Sequence, residues 1–245
     1  AIIPIHKKEN ILVSAPTGSG KTLTAFASII NELINLSDNK KLEDKVYAVY
    51  ISPLKALSND ILVNLINPLQ EMAQQANRSF GIRIGVRTGD TKASDKQKML
   101  RAVPHIIITT PESLALMLSS IKFSELLKDV QYCIVDEIHS LAENKRGTHL
   151  SISLERLQKI SKDMVRIGLS ATVAPLEEIA QFLVGTKRSC KIADVQHLKK
   201  YDLKVISPVP DLINVTQYQL HHKLYSLLDE LIEQHKTTLI FTNTR

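Results

Sequence analysis

The sequence predicts an α/β fold in which helices cover both faces of a mostly parallel β-sheet. Short apolar runs rich in β-branched residues alternate with segments of helical periodicity along most of the chain. A glycine-rich loop stands between one such run and a helical segment, and a pair of acidic residues follows another run. This alternation is typical of βαβ units, whose crossover connections keep neighbouring strands parallel.

Seven apolar runs are predicted to be strands, with helices between them. The strands are expected at 11–13, 46–51, 82–86, 105–108, 132–135, 165–169 and 189–192. The helices are expected at 21–35, 54–75, 92–101, 112–118, 147–160 and 175–182. Continuous apolar runs of this length are typical of strands that are buried on both faces of a sheet.

The pattern changes after about residue 192. Two short extended runs, at 202–206 and 214–218, surround Pro208 and Pro210, followed by an expected helix at 220–234 and an expected strand at 237–241. One helix and one strand cannot form a core of their own. We therefore predict an α/β domain over 1–194, a connector over 195–218 and the truncated start of a second α/β domain over 219–245.

The composition allows a full α/β core and favours a polyanionic partner. The chain has 245 residues, 44% of them hydrophobic, with a net charge of +6 and a pI near 9.2. Its two cysteines, Cys133 and Cys190, predict neither a disulfide framework nor a metal site and fit a reducing compartment. With no long apolar run and no secretory segment in the sequence, we expect no membrane contact and a cytoplasmic location.

Residues 14–22, Ser-Ala-Pro-Thr-Gly-Ser-Gly-Lys-Thr, predict a phosphate-binding loop of the P-loop NTPase type. The glycines permit a tight curl that points backbone N–H groups at phosphates, at the positive end of the following helix. Lys21 is expected to reach the outer phosphates and Thr22 to hold Mg²⁺. The alternative, a polar turn before a helix, leaves the lysine unexplained. We predict that ATP is bound by Pro16, Thr17, Gly18, Ser19, Gly20, Lys21 and Thr22.

An acidic pair follows a predicted strand at 136–139, which reads Asp-Glu-Ile-His. Asp136 is expected to hold Mg²⁺ together with the loop threonine, and Glu137 to orient and polarise the attacking water. Adjacent acids are common on surfaces, but a position after a strand and downstream of a P-loop favours catalysis. Lys21, Asp136 and Glu137 are the predicted catalytic residues. A lone histidine is more often structural, yet we predict that His139 links the nucleotide state to motion.

Three further polar segments follow strands at the same expected edge of the sheet. They are Ser-Pro-Leu-Lys-Ala-Leu at 52–57, Thr-Thr-Pro-Glu-Ser-Leu at 109–114 and Ser-Ala-Thr at 170–172. In isolation each is explained as a helix start or a polar turn, where proline suits the first helical position. The first two also offer hydroxyls and helix N-termini that suit the phosphates of a nucleic-acid strand.

The order of these segments resembles the first RecA-like lobe of a superfamily 2 DExH-type helicase. Motifs I, Ia, Ib, II, III and the start of motif IV match 15–22, 53–57, 110–113, 136–139, 170–172 and 240–245. Ala15 replaces the first glycine of the general P-loop, and this sequence variant is familiar in nucleic-acid motor ATPases. Further segments are similar in sequence to the large helicase-related (Lhr) family, at 50–57, 87–91, 135–139, 145–147, 154–157, 166–172 and 240–245. Ski-type and archaeal repair helicases share parts of these segments.

The resemblance implies an ATP-dependent helicase that moves 3′ to 5′ on single strands and serves DNA repair in bacteria or archaea. It implies that Ser170 and Thr172, with His139, couple the ATP site to the nucleic acid. It also implies a strand-binding face that includes Pro53, Lys55, Arg87, Thr88, Gly89, Thr110 and Ser113, although an exposed arginine at 87 needs no such role. The expected partner is a single-stranded or tailed duplex nucleic acid, with DNA favoured. Because only 4% of residues are aromatic, backbone tracking is expected.

Other functions stay open at this point. Helicase motifs V and VI, with their arginine finger, and the adenine-reading glutamine motif are not found in these residues. The chain alone is therefore expected to hydrolyse ATP weakly and to need its own second RecA-like lobe. The alternatives are an ATP-gated nucleic-acid clamp, or a helicase for RNA or RNA–DNA hybrids without processive DNA unwinding. A P-loop phosphotransferase is disfavoured, because it leaves motifs Ia, Ib and III without a purpose.

Overall fold

A single parallel sheet organises the first part of the chain in the computed structural model. The structure describes residues 1–16, 18–195 and 202–242, with the side chains of 55–60 and 62–64 outside that description. Within these ranges the strands are β1 Ile11–Ser14, β2 Ala48–Ile51, β3 Ile84–Arg87, β4 Ile106–Thr109, β5 Tyr132–Val135, β6 Val165–Ser170 and β7 Lys191–Asp194. Their spatial order is β3-β4-β2-β5-β6-β1-β7, and every adjacent pair is parallel. All seven predicted strands are confirmed.

Helices connect the strands in the expected order. They are α1 Ile2–His6, α2 Lys21–Asp38, α3 Lys55–Gln75, α4 Ala93–Arg101, α5 Pro111–Ser119, α6 Ile121–Leu126, α7 Ile138–Ala142, α8 Lys145–Ile160, α9 Leu176–Val184 and α10 Gln217–Glu233. The short α1, α6 and α7 were not predicted, because one or two turns leave too little periodicity to detect. Within the described ranges, no helix combines the length and apolarity needed to cross a membrane.

Two apolar layers sandwich the sheet, because successive strand residues point to opposite faces. Ile11 and Tyr50 face the layer of α2 and α3, which contributes Phe26, Ile29, Leu33, Ile61 and Leu65. Leu12 and Val49 face the layer of α5, α7, α8 and α9, which contributes Leu114, Met117, Ile138, Leu154 and Leu183. Full burial of each such side chain stabilises the fold by about 1.5–3 kcal/mol.

The strand register brings the predicted motifs to one edge of the sheet. Ser14 lies opposite Ser170, Ile51 opposite Val135 and Arg87 opposite Thr109. Each of these residues is the last of its strand, so the loops that follow the strands meet at the carboxyl edge of the sheet. Ligands bind at this edge in open parallel α/β sheets.

The chain divides into two compact units, Ala1–His197 and Leu198–Arg245. In the second unit, Thr216 caps α10 in a capping box, with its hydroxyl accepting the Gln219 N–H at 3.3 Å. The strand expected at 237–241 is wrong, because these residues are irregular. Residues 202–206 carry no regular secondary structure, and the extended run expected at 214–218 is interrupted by α10, which begins at Gln217. A strand needs a neighbour for its backbone groups, and the described part of this unit offers none.

His105, directly before β4, is a buried ionisable side chain. It is 1% exposed, and its Nδ1 accepts the Arg83 backbone N–H at 3.0 Å. Burial, reinforced by the nearby Arg83 guanidinium, lowers the pKa of His105 to about 4. The folded protein therefore keeps this ring neutral at a pH where the unfolded chain protonates it.

This difference makes stability depend on pH. In the unfolded chain His105 is protonated below about pH 6.5. The contribution of His105 to the free energy of unfolding is therefore complete above that pH and falls as the pH drops toward about 4. We expect a loss on the order of 3 kcal/mol in the free energy of unfolding across this window, measured by urea denaturation. His105→Asn should flatten the slope. An unchanged slope in this variant would assign the acid sensitivity to other groups.

Candidate functional site

The loop between β1 and α2 has the backbone of a phosphate-binding loop. Gly18 and Gly20 adopt φ values of +79° and +81°, a region that side chains rarely allow. Gly20 is the N-cap of α2, and no described side chain caps this helix end. Its first N–H groups are therefore available to an anion, which the helix dipole favours. Ser19 donates its N–H to the Pro16 carbonyl at 3.3 Å, and Thr17 lies outside the described residues.

Lys21 is folded onto this loop. Its Nζ donates to the carbonyl oxygens of Ala15 at 2.5 Å and Pro16 at 3.1 Å, and the residue is 8% exposed. Carbonyl oxygens carry no net charge, so they leave the charge of the ammonium uncompensated. Part of that field reaches Asp136, whose pKa it acts to lower. A phosphate oxygen would be a stronger partner for Lys21 than either carbonyl.

Asp136 follows β5 and faces the same loop. Its Oδ1 accepts the Glu137 N–H at 2.9 Å, and its Oδ2 accepts the hydroxyl of Tyr50. Burial raises the pKa of Asp136, while the Tyr50 hydroxyl and the Lys21 charge oppose that shift. Burial raises the pKa of the Tyr50 phenol, so it remains a donor, and the nearby Thr22 side chain opposes that shift. Thr22 and Asp136 therefore both lie near one tyrosine.

Tyr50 is a site residue that the sequence pattern did not reveal. It lies in β2, is fully buried, and stacks on Phe26 of α2 with ring centroids 5.2 Å apart. In the sequence it is one aromatic residue within an apolar run, which is what a strand core contains. A buried tyrosine hydroxyl needs a partner, and that requirement was the only available signal.

Glu137 and His139 connect the acidic pair to β6. Glu137, the N-cap of α7, has a φ of +47°, which is left-handed for a non-glycine residue. Its Oε2 lies 3.3 Å from His139 Nε2. His139 Nδ1 accepts the Ala171 N–H at 3.2 Å and lies 3.3 Å from the Ser170 hydroxyl. Because Nδ1 accepts a backbone N–H, the proton of the neutral ring lies on Nε2 and points at Glu137. Thr172, by contrast, is exposed.

A second group of predicted residues lies where β2, β3 and β4 end. Thr110 caps α5, with its hydroxyl accepting the Ser113 N–H at 3.4 Å and lying 3.2 Å from the Ser113 hydroxyl. Pro53 is buried and Gly89 is exposed. The side chain of Lys55 lies outside the described part of the chain. The structure thus places these loops at one edge.

Arg87, at the end of β3, is buried rather than exposed. It is 8% exposed, its Nη1 donates to the Thr88 carbonyl at 2.9 Å, and its guanidinium lies 5.3 Å from the Phe123 ring. Its Nε has no hydrogen-bond partner, and among the described side chains no carboxylate forms an ion pair with it. Burial lowers the pKa of Arg87, which still leaves it cationic. A cation without a carboxylate is available to a phosphate.

Two other arginines were not given roles by the sequence pattern. Arg146 in α8 donates to the Pro53 carbonyl and to the Glu112 carboxylate, both at 2.7 Å. Arg166 in β6 is 1% exposed and donates to the carbonyls of Leu154 at 3.0 Å and Leu183 at 2.9 Å. Arg166 therefore joins α8 and α9 to the sheet. Arg146 instead contacts two loops of the site.

The phosphate-loop and acidic residues share one cavity of about 460 Å³, within the usual range for a ligand site. Its lining combines residues of the phosphate loop and the acidic pair with apolar side chains of α2 and α3. They are Gly18, Gly20, Lys21, Thr22, Asp136 and Glu137, and Leu23, Phe26, Ile61, Leu65 and Pro68. The predicted catalytic and metal-binding residues are therefore brought together. A polar turn before a helix does not explain this convergence.

Comparison with known proteins agrees with this geometry. The DEAD/DEAH box helicase family matches residues 1–182. The chain is 58% identical to the ATP-dependent helicase Lhr-Core protein 2 of Thermococcus barophilus and 56% identical to the ATP-dependent helicase Lhr-Core of Methanothermobacter thermautotrophicus, over 100% of this chain and 29% of each relative. It therefore spans less than a third of these relatives.

The likeness extends to three-dimensional structure. The chain matches the structure of Mycobacterium smegmatis helicase Lhr bound to ssDNA and AMP-PNP with a TM-score of 0.85 and 40% identity, over 99% of this chain and 31% of that one. This match confirms the RecA-like fold, and the Lhr relatives confirm the predicted resemblance to superfamily 2 helicases of the Lhr type. The chain belongs to the DEAD/DEAH box helicase family.

Proposed function

We propose that this chain is the ATP-binding lobe of an ATP-dependent nucleic-acid helicase. The observation that carries the proposal is the contact network around the acidic pair. Glu137 shares the cavity with Lys21 and meets His139, which also contacts Ser170 and the Ala171 N–H. A phosphate loop alone serves any NTPase. A histidine that links the acid beside the nucleotide to the end of another strand is what a motor needs to transmit the nucleotide state.

The nucleotide would be held by the loop at 16–20 and by the first N–H groups of α2, with Lys21 on the outer phosphates. The Mycobacterium smegmatis relative contains AMP-PNP, which supports ATP as the ligand. Glu137 would orient the attacking water and accept its proton, while the His139 Nε2–H holds the carboxylate in place.

Mg²⁺ would be held by Thr22 and Asp136. The donor set fits, because a hydroxyl and a carboxylate that line the same cavity are hard oxygen ligands of the kind that Mg²⁺ prefers. When bound, Mg²⁺ neutralises charge on the phosphates. Tyr50 donates its hydroxyl to Asp136 Oδ2 and thereby fixes the orientation of the carboxylate that would bind Mg²⁺.

The nucleic-acid strand would lie along the loops after β2, β3 and β4. The proposed contacts are Pro53, Lys55, Arg87, Thr88, Gly89, Thr110 and Ser113. The uncompensated Arg87 guanidinium and the N-terminus of α5 both favour phosphate. His139, Ser170 and Thr172 would couple this face to ATP hydrolysis. The ssDNA in the Mycobacterium smegmatis relative supports a single strand, with DNA favoured.

The remaining proposals rest on the Lhr likeness. We propose 3′ to 5′ movement on DNA, a role in DNA repair, a cytoplasmic location in an archaeon or bacterium, and a second RecA-like lobe as the partner that completes the catalytic site. The domain limits are proposed as 1–194, 195–218 and 219–245. The archaeal and bacterial origin of the relatives supports the location.

The test uses the full-length protein with duplexes that carry a 3′ or a 5′ single-stranded tail, made of DNA or of DNA–RNA hybrid. Strand-stimulated ATP hydrolysis and unwinding of 3′-tailed duplexes are the expected results. Stimulated hydrolysis without strand separation would support the ATP-gated clamp instead. Unwinding confined to hybrids would support the RNA–DNA alternative, and ATP turnover that ignores added strands would refute the motor proposal.

A further inference from the structure

We infer that Arg146 is a positioning residue that holds two loops of the proposed nucleic-acid face at a fixed separation. Its Nε donates to Glu112 Oε1 at 2.7 Å, and its Nη2 lies 3.4 Å from Glu112 Oε2. The same Nη2 donates to the Pro53 carbonyl at 2.7 Å. One guanidinium from α8 therefore joins the loop after β2 to the first turn of α5. The inference rests on the function proposed for these loops.

The geometry of the guanidinium explains why arginine suits this position. Its donors lie in one rigid plane, so two parallel bonds to Glu112 fix the plane and direct the outer N–H at Pro53. A lysine ammonium would reach either partner but would not fix their mutual orientation. The contact thus sets both the distance and the angle between the two loops.

Folding stability does not account for this contact. The side chains of Arg146 and Glu112 are 43% and 52% exposed. Ion pairs at such exposure typically contribute little to folding stability. The hydrogen bond to Pro53 adds a similar small amount. Arg146 therefore acts mainly on the positions of Pro53 and Glu112, and only secondarily on the stability of the fold.

Charge makes the same contact useful for phosphate binding. Glu112 lies in the first turn of α5, between Thr110 and Ser113, which are both proposed strand contacts. An unpaired carboxylate at this helix start would repel a phosphate. Arg146 offsets the charge of Glu112, whose carboxylate also meets its own backbone N–H and the Thr110 side chain.

Arg146 is itself held by a local cap. Asn144 Oδ1 accepts the N–H groups of Arg146 at 2.9 Å and Gly147 at 3.1 Å, and Asn144 Nδ2 donates to the Ser140 carbonyl at 2.6 Å. Ser140 belongs to α7, whose N-cap is Glu137. The start of α8 is thus fixed relative to the acidic pair, and Arg146 extends from that fixed point to the loops.

The test compares full-length protein with its Arg146→Lys variant. A matched control is Arg156→Lys, because Arg156 lies on the same helix and contacts only the far end of α5 among the described residues, at the Leu118 carbonyl and the Ser119 hydroxyl. Fluorescence anisotropy of a labelled single strand at several salt concentrations gives affinity and salt dependence. A fluorescent ATP analogue gives nucleotide affinity, and thermal unfolding gives Tm.

Arg146→Lys should weaken strand binding about tenfold, with nucleotide affinity, Tm and the salt slope unchanged. Arg156→Lys should change none of these. An unchanged strand affinity overturns the inference. A salt slope reduced by about 1 would show a direct phosphate contact instead, and a lowered Tm with weaker nucleotide binding would show a merely structural role. If the parent protein binds no strand, the proposed function itself fails.

Discussion

Lys21→Ala in the full-length protein is expected to lower ATP turnover by at least about 100-fold, the scale on which loss of one fixed electrostatic group acts in such sites. The ammonium is buried beside the phosphate loop and is held by two carbonyl oxygens, so its charge is available to the nucleotide. Alanine removes that charge and leaves the developing charge on the phosphates unmatched. Steady-state ATPase assays with saturating single strand measure the effect.

In Lys21→Ala the affinity for a single strand should change by no more than about twofold, since substitutions at distant sites act independently. The proposed strand contacts lie at the ends of β2, β3 and β4, whereas Lys21 belongs to the loop after β1. Lys98→Ala is a suitable control, because this lysine is exposed on α4 and pairs with Asp95 in its own helix. Equal ATPase activity in Lys21→Ala and the parent protein would refute the assignment of Lys21.

The strands and the two nucleotide motifs could be predicted because their signals are local. A buried parallel strand is a short apolar run, and the phosphate loop needs its glycines, lysine and threonine within a few residues. The strand expected at 237–241 shows the limit of this approach. Apolar character makes a run compatible with a strand, but pairing depends on a neighbour that local sequence does not specify.

Tyr50 and Arg146 could not be assigned for the same physical reason. Tyr50 meets Asp136 only because β2 and β5 are adjacent and pair with Ile51 opposite Val135. Arg146 bonds Glu112 and Pro53, which are 34 and 93 residues away along the chain. His139 belongs to the predicted acidic motif, but its contact with Ala171 depends on how α7 lies beside β6. Local motifs indicate which chemistry is present, whereas register determines which side chains meet.

Gly147→Ala is expected to destabilise the protein, against the usual trend for this substitution. In an unhindered helix, alanine is favoured over glycine by about 1 kcal/mol. Here a Cβ at position 147 would lie 1.9 Å from the Leu141 carbonyl oxygen and 2.7 Å from its carbon. Both are backbone atoms, so no side-chain rotation relieves the overlap, and α8 must move away from the end of α7. Overpacking of this kind costs about 1–3 kcal/mol or more, so the clash outweighs the gain in propensity.

The displacement should also reduce ATP turnover, because Glu137 is the N-cap of α7 and His139 lies in that helix. Urea denaturation and ATPase assays measure the two effects. Gly85→Ala is the control, since its new Cβ would meet Met99 Cε at 3.1 Å and the Pro104 ring at 3.2 Å, a milder contact in part with the flexible end of a side chain. A Gly147→Ala protein as stable and active as its parent would show that α7 and α8 tolerate separation. The tight approach of these helices would then not be what holds the acidic pair in place.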